Sequence, residues 1–185
     1  MNIFEEFAKN KIFAVVRGKN ASEAMAFAEG CMRGGLKLIE VTLSFPEAED
    51  VISELSRRVG ILVGAGTVLD TDMANEALRS GAKFLVSPHT DRDIINVCRQ
   101  NGVPCIQGAL TSSEIVNAWK LGVDAVKIFP ANHAGGPSYI KAILEPLPFQ
   151  LFEFDTLLVE DRGDVSMSQI REAQIGEYCL RHIND

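Results

Sequence analysis

Short apolar segments recur along this chain and are separated by segments of helical character. The apolar segments are 12–17, 37–43, 61–66, 83–88, 104–108 and 124–129. Their starts lie about 20 to 25 residues apart, which is the length of one strand–helix unit with short loops. Because they are continuous runs of Val, Ile, Leu and Phe, they are typical of strands that are covered on both faces. The pattern predicts a parallel sheet of the α/β class.

The segments between the strands begin and end with helix-terminating signals. Capping residues open them at Asp70, Asp91 and Thr111, and Ser22 is expected to open the first helix. The helix ends carry a recurring glycine followed by a small or apolar residue and the next strand, at 34–36, 80–82, 101–103 and 121–123. Four occurrences indicate repeated βα units. Their spacing favours a closed (β/α)8 barrel over an open doubly wound sheet.

The pattern changes after about residue 150. Residues 151–160 are predicted to form a seventh strand, and a helix is predicted from about residue 169 to 182, with no eighth strand. We therefore expect one domain, in which residues 1–149 form six βα units and residues 150–185 are an atypical C-terminal segment. The fold prediction is a (β/α)8-type TIM barrel, incomplete or altered in its last one to two units. Strands one and seven would then have unpaired edges.

Composition narrows the class of protein. The chain has 185 residues and a formal net charge of -7, which argues against nucleic acid as a partner. Its four cysteines lack metal-ligand spacing, and reduced thiols are expected. Acidic residues stand near the N-terminus where a signal peptide would have basic ones, and no apolar run is long enough to span a membrane. These features predict a cytoplasmic domain without a membrane partner.

Two charged residues interrupt apolar strands and are the main candidates for chemistry. Lys127 lies between Val126 and Ile128, and Glu40 lies between Ile39 and Val41. A lysine held away from water favours the neutral amine, which attacks carbonyl carbons to form a Schiff base. A buried carboxylate on another strand would move the protons. The alternative is that the two residues pair with each other or meet solvent at the strand ends.

Further polar and small residues stand at the predicted carboxyl ends of the strands, where ligands bind in parallel α/β folds. Arg17 ends the first strand and is suited to a carboxylate or phosphate, unless it is a surface charge. Thr42 lies near the end of the second. Gly66 and Thr67 end the third strand. The motif around them lacks the lysine of a phosphate-binding P-loop and the third glycine of a dinucleotide site. Pro88 follows the fourth. The three histidines have no partners at metal-ligand spacing, so no metal is expected.

Four motifs resemble one known family in their order and spacing. They are 39–43 (Ile-Glu-Val-Thr-Leu), 64–68 (Gly-Ala-Gly-Thr-Val), 86–89 (Val-Ser-Pro-His) and 126–130 (Val-Lys-Ile-Phe-Pro). They are similar to the bacterial 2-keto-3-deoxy-6-phosphogluconate/4-hydroxy-2-oxoglutarate aldolases, over about residues 1 to 149. The resemblance implies a metal-free class I aldolase on a (β/α)8 barrel, usually a homotrimer, with a small 2-keto acid as substrate and no cofactor.

The resemblance also implies roles for individual residues. Lys127 matches the Schiff-base lysine and Glu40 the general acid/base. Thr67, beside Gly66, matches the threonine near the pyruvate carboxylate, and Pro88 and Phe129 match residues that line the pocket. Arg17 matches an arginine present in part of the family. Ser44 stands where some members have an arginine.

Residues 151–185 do not show the glycine-rich phosphate-binding phrases that the family carries at the ends of strands seven and eight. Two interpretations therefore stay open. One is an aldolase that keeps the residues for iminium chemistry and has an altered phosphate site. For such an enzyme we expect a larger loss of activity on the phosphorylated substrate than on 4-hydroxy-2-oxoglutarate. The other is a catalytically impaired relative that acts as a scaffold or oligomer-forming barrel. A different phosphate-binding barrel enzyme ranks third, because it would need the same late phosphate loop.

Overall fold

The computed structural model describes residues 6–7, 12–147, 149–152, 155–159 and 178–182, with side chains described at 6–7 and 14–147. Strands and helices alternate over residues 12–144. The strands are β1 (Ile12–Val16), β2 (Leu38–Thr42), β3 (Leu62–Gly66), β4 (Leu85–Val86), β5 (Cys105–Ala109) and β6 (Ala125–Ile128). The helices are α1 (Ala21–Arg33), α2 (Ala48–Ser56), α3 (Thr71–Arg79), α4 (Arg92–Asn101), α5 (Ser112–Lys120) and α6 (Pro137–Leu144). A short 3-10 helix, Asn132–Ala134, precedes α6.

Strands β1 to β6 pair in sequence order, and every pairing among them is parallel. All six predicted strands are confirmed, five of them to within one residue at each end. The exception is β4, which has two residues where six were predicted. Parallel pairing places all six carboxyl ends, and the loops that follow them, at one edge of the sheet.

The strands carry a separate apolar core on each face. The outer core packs the sheet against the helices. The inner core is a compact cluster of Phe7, Val15, Leu38, Leu62, Phe84, Val86, Ile106 and Ala125. Because β1 and β6 stand at opposite ends of the parallel order yet both contribute to this one cluster, the sheet curls around it. This is the filled interior of a (β/α)8-type barrel, and the predicted fold class is confirmed.

Most of the predicted helix starts are confirmed by side chains that cap them. Asp70, Asp91 and Thr111 accept hydrogen bonds from backbone N–H groups in the first turns of α3, α4 and α5. The exception is α1, where Asn20 and not Ser22 is the cap, since the Asn20 side chain accepts from the backbone of Glu23 at 2.9 Å.

The C-terminal part of the sheet corrects the prediction for residues 150–185. Two strands, β7 (Phe149–Phe152) and β8 (Asp155–Val159), occupy the region predicted as one strand. A third, β9 (Tyr178–His182), lies where the end of a helix was predicted, and the rest of that helix lies outside the described residues. β9 is antiparallel to both β6 and β7. The edge of a sheet offers unpaired backbone groups, and strand pairing satisfies them where a helix cannot.

The prediction that β1 has an unpaired edge is also wrong. β8 pairs with β1 in parallel along five residues, with Asp155 opposite Ile12 and Val159 opposite Val16. Among the described residues the sheet order is therefore β7-β9-β6-β5-β4-β3-β2-β1-β8. The altered region adds an antiparallel pair beside β6, while the parallel strands that carry the predicted site residues keep their barrel arrangement.

Candidate active site

Glu40 and Lys127 point into the same barrel interior. Successive residues of a strand face opposite sides, so Glu40 lies on the face of Leu38 and Lys127 on the face of Ala125. Leu38 and Ala125 both belong to the inner core. The two charged side chains are almost fully buried, with exposed fractions of 1% and 6%. They therefore lie above the inner core, toward the carboxyl ends of β2 and β6.

The Glu40 carboxylate lies against the backbone of Gly66. A β-carbon placed on Gly66 would overlap Glu40 Oε1. Gly66 is the last residue of β3, and its register partner on β2 is Thr42. Only a glycine at the end of β3 leaves room for the carboxylate in this position, so the predicted site residue Gly66 has a steric role.

Lys127 lies beside Phe129 and opposite Gly108. The Lys127 Nζ is 5.2 Å from the centre of the Phe129 ring, within the range of a cation–π contact. Gly108 is the register partner of Lys127 on β5. A β-carbon on Gly108 would overlap the carbonyl of Pro88, so this glycine lets the loop after β4 cross the end of β5. The predicted pocket residues Pro88 and Phe129 therefore flank the lysine strand.

Thr42 is buried at the end of β2, the strand that carries Glu40, and its side chain connects this end to β1. Its Oγ1 donates to the carbonyl of Val16 at 3.3 Å and lies 2.8 Å from Ser44 Oγ. Arg17 follows Val16 directly and has an exposed side chain at the end of β1. The structure places both predicted binding residues at the carboxyl edge of the sheet. Thr42 lies inside the barrel and Arg17 lies at its rim.

Thr67 has a backbone conformation that β-branched residues rarely adopt. Its φ is 58°, in the left-handed region, directly after Gly66. Such a conformation costs on the order of 1–3 kcal/mol and is maintained only where the surroundings impose it. The residue is half-buried at the carboxyl edge. Thr67 therefore lies at the carboxyl end of β3, directly after the glycine that contacts the Glu40 carboxylate.

Two further polar residues near strand ends, Gln107 and Ser87, form hydrogen bonds with the segment that follows β4. Gln107 lies on the face of Cys105 and Ala109, which belong to the outer core. Its Oε1 accepts from the backbone of Asp91 at 3.0 Å and thereby supports the start of α4. Ser87 Oγ lies 3.1 Å from His89 Nδ1. Strand alternation, applied to the run 105–109, would have identified the outward direction of Gln107.

Cys31 and Cys105 are not suited to nucleophilic chemistry. Burial raises the pKa of Cys31 to about 11. The pKa of Cys105 is also raised, first by its hydrogen bond with Cys98 and then by burial. A thiol with a raised pKa carries little of the reactive thiolate at neutral pH. Within the described ranges, no group of His, Cys, Asp and Glu could hold a metal ion, and no helix is long and apolar enough to cross a membrane.

Comparisons with known proteins give a consistent result. A family model for KDPG and KHG aldolase matches residues 3–156. The 2-dehydro-3-deoxy-phosphogluconate aldolase of Treponema pallidum is 33% identical over 147 residues, which cover 79% of this chain and 70% of that protein. The corresponding aldolase of Haemophilus influenzae is 32% identical over 171 residues, covering 92% and 77% of the two chains.

Solved structures agree with the sequence matches. The 2-keto-3-deoxy-6-phosphogluconate aldolase of Zymomonas mobilis ZM4, solved with 3-phosphoglycerate, aligns with a TM-score of 0.73 and 25% identity over 92% of this chain and 78% of that one. The KDPG aldolase of Legionella pneumophila, with pyruvate captured at low pH as a covalent carbinolamine intermediate, aligns with a TM-score of 0.70 and 28% identity over 90% and 78%. These similarities support an aldolase, hence a lyase acting on a small molecule. The chain belongs to the KDPG and KHG aldolase family.

Proposed function

We propose that this chain is a class I aldolase that cleaves a 2-keto-3-deoxy acid to pyruvate and an aldehyde through a Schiff base on Lys127. The family resemblance gives a 6-phospho sugar acid or 4-hydroxy-2-oxoglutarate as the substrate. The observation that carries the proposal is that Lys127 on β6 and Glu40 on β2 are both buried on the inner face of one barrel, beyond the inner core on the side of the carboxyl ends. A primary amine and a carboxylate in one barrel interior are the groups that iminium chemistry requires.

The proposed reaction needs only the substrate, water, the Lys127 amine and one group that transfers protons. The uncharged Lys127 amine attacks C2 of the substrate, and the carbinolamine loses water to give an iminium ion. A base removes the proton of the C4 hydroxyl, the C3–C4 bond breaks, and its electron pair moves to the iminium to form an enamine. The aldehyde leaves, the enamine is protonated at C3, and hydrolysis releases pyruvate and the lysine. Glu40 is assigned the proton transfers, a contribution of about 10²–10⁴-fold in rate.

The surrounding residues are assigned to binding. Thr67, which directly follows β3, would bind the carboxylate of the pyruvate half. Thr42 fixes the end of the Glu40 strand through Val16. Pro88 and Phe129 would line the pocket on the Lys127 side, and Arg17 at the rim is placed to meet an anionic part of the substrate. Gly66 provides the space that the Glu40 carboxylate occupies.

Reductive trapping tests the proposal. The protein is incubated with pyruvate and borohydride, and peptide mass spectrometry locates any reduced adduct. We expect one pyruvate per chain on Lys127. The variant Lys127→Met should give no adduct, whereas Lys83→Met, which removes an exposed lysine, should be labelled like the parent. A folded protein without an adduct would refute the proposal and favour the scaffold interpretation.

A further inference from the structure

We propose that the Phe129 ring favours the iminium ion on Lys127 over the uncharged carbinolamine that precedes it, through a cation–π contact with the nitrogen. This inference rests on the proposed function and deepens it. Lining a pocket needs only an apolar side chain at position 129, whereas this role needs the negative face of an aromatic ring. The observation that carries it is the distance of 5.2 Å between Lys127 Nζ and the centre of the Phe129 ring.

The backbone of the sheet holds the ring on the same side as the amine. Lys127 and Phe129 are two residues apart, and residues with this spacing along a strand face the same side. Phe129 directly follows β6, and its backbone N–H donates to the carbonyl of Ala109 on β5 at 3.1 Å. The hydrogen bonding between β5 and β6 therefore extends to the residue that carries the ring.

The amine is better shielded from water than the ring. The exposed fraction is 6% for Lys127 and 37% for Phe129. Phe129 stands nearer to the carboxyl edge of the sheet, and Lys127 lies deeper in the barrel. A cation–π contact is stronger where the cation has lost its hydration, so this position suits one.

The charge on the Lys127 nitrogen changes during the proposed reaction. In the carbinolamine the nitrogen is uncharged. The carbinolamine takes up one proton, its C2–O bond breaks, water leaves, and the nitrogen lone pair forms the C=N bond of the iminium ion. The nitrogen then carries a positive charge beside the ring, whose face attracts cations. The ring therefore lowers the energy of the iminium relative to the carbinolamine, and the iminium accepts the electron pair when C3–C4 breaks.

The ammonium form of Lys127 provides a contrast. It carries the same charge at the same atom, so the ring stabilises it as well. Replacing the ammonium by the iminium when pyruvate binds leaves the charge unchanged, and the ring contributes little to that step. We therefore expect the ring to raise the ratio of iminium to carbinolamine about three- to tenfold, with a much smaller effect on the affinity for pyruvate.

The test measures the two covalent states directly. The protein is saturated with pyruvate labelled with carbon-13 at C2, whose NMR signal differs between the tetrahedral carbinolamine and the trigonal iminium carbon. Phe129 is replaced by phenylalanines that carry one, two or three ring fluorines, which nearly preserve its shape and progressively weaken its negative face. We expect the ratio of iminium to carbinolamine to fall step by step, to about a third to a tenth of the parent value. Phe129→Leu, which has no aromatic face, should give a ratio at or below the end of the series.

The same fluorinated residues at position 45 are the matched control. Phe45 is buried in the outer core, with an exposed fraction of 8%, so its fluorination should leave the ratio unchanged. A constant ratio along the Phe129 series would overturn the inference, and so would an equal decline in the Phe45 series, because packing would then explain it. A spectrum that shows only one of the two states in the parent and in Phe129→Leu alike would also overturn it, because the ring would then not set their ratio.

Borohydride trapping of pyruvate on Lys127 separates this inference from the proposed function. A folded parent protein without an adduct would refute the proposed function, and with it the chemistry on which the role of the ring depends. An adduct on Lys127, together with a ratio of iminium to carbinolamine that does not respond to fluorination of Phe129, would overturn only the role of the ring.

Discussion

Gly66 lies directly against the Glu40 carboxylate, at a distance that leaves no room for a β-carbon. The contact joins the end of β3 to the proposed general acid/base on β2. The position of the Glu40 carboxylate is therefore set by the absence of a side chain at the end of the neighbouring strand. A substitution that adds one methyl group at Gly66 must move Glu40, the strand or both.

The variant Gly66→Ala is expected to lower kcat/KM for aldol cleavage about 10²-fold, because displacing a general acid/base from hydrogen-bond reach removes most of its contribution. Steady-state kinetics with pyruvate detection would measure it. Gly34→Ala is the matched control, since Gly34 has a helical φ of −72° at the end of α1, where alanine is allowed. A Gly66→Ala protein with parental kinetics would show that the Glu40 position does not matter for the reaction.

Replacing Glu40 by Gln is expected to lower kcat by about 10²–10⁴-fold with a much smaller change in KM. The amide keeps the size of the side chain and loses the capacity to exchange protons. Glu76→Gln on the exposed surface of α3 controls for the loss of one negative charge. A kcat within about a factor of three of the parent would contradict the role assigned to Glu40, because general acid–base catalysis typically contributes about 10²-fold or more to the rate.

Phe7 packs in the inner core of the barrel and is not one of the proposed site residues. Its ring meets that of Phe84 edge to face, with centroids 5.2 Å apart, and its side chain is 1% exposed. We expect Phe7→Ala to reduce the free energy of unfolding by about 3–5 kcal/mol, through lost burial and the cavity left behind. Urea denaturation would measure the change. Leu69→Ala, at a 48% exposed position, should change stability by no more than about 0.5 kcal/mol. A loss below about 1 kcal/mol for Phe7→Ala would contradict its place in the inner core.

The lowered pKa of Glu114, which results from hydrogen bonds donated by the backbone N–H groups of Thr111 and Leu110 and by the Thr111 hydroxyl, predicts a pH dependence of stability. Because the folded-state pKa lies below the ordinary value of 4.5, the stabilisation is complete above that pH and is lost as the pH falls through the folded-state pKa. The side chain is exposed, so solvent screening limits the effect to less than about 1 kcal/mol. Thermal unfolding of Glu114→Gln and the parent at pH 7 and at pH 3 would measure it. The difference between the two proteins should shrink at the lower pH, and a constant difference would contradict the prediction.

The β4 region shows the limit of predicting a strand from apolar residues. The run 83–88 predicted six strand residues, but only Leu85 and Val86 form strand pairs. Gly108 and Pro88 explain the difference. The chain leaves the sheet early because the loop after β4 crosses the end of β5 at Gly108. Such a close approach depends on a residue 20 positions away, so no local propensity indicates it.

The C-terminal prediction failed for a related reason. Residues 178–182 belong to the segment from about 169 to 182 that is predicted as a helix, with Ile170, Ala173 and Leu180 among its apolar residues. In the folded chain, Leu180 instead lies opposite Val126 of β6 and Leu151 of β7. Pairing with the open edge of β6 satisfies backbone groups on both sides of the strand. The partner strands determine this outcome, and they are distant in the sequence.

The sequence by itself determined the repeated strand–helix order, most of the helix caps and the two charged positions within apolar strands, because each depends on neighbours within a few residues. The tertiary structure decided which face each strand turns inward, and hence that Lys127 and Glu40 enter one interior while Gln107 turns away from it. It also decided which glycines are required, since Gly66 and Gly108 are fixed by side chains and loops of other strands. Curvature of the sheet, which arises only when all the strands pack around Phe7 and the inner core, brings these distant positions to one interior.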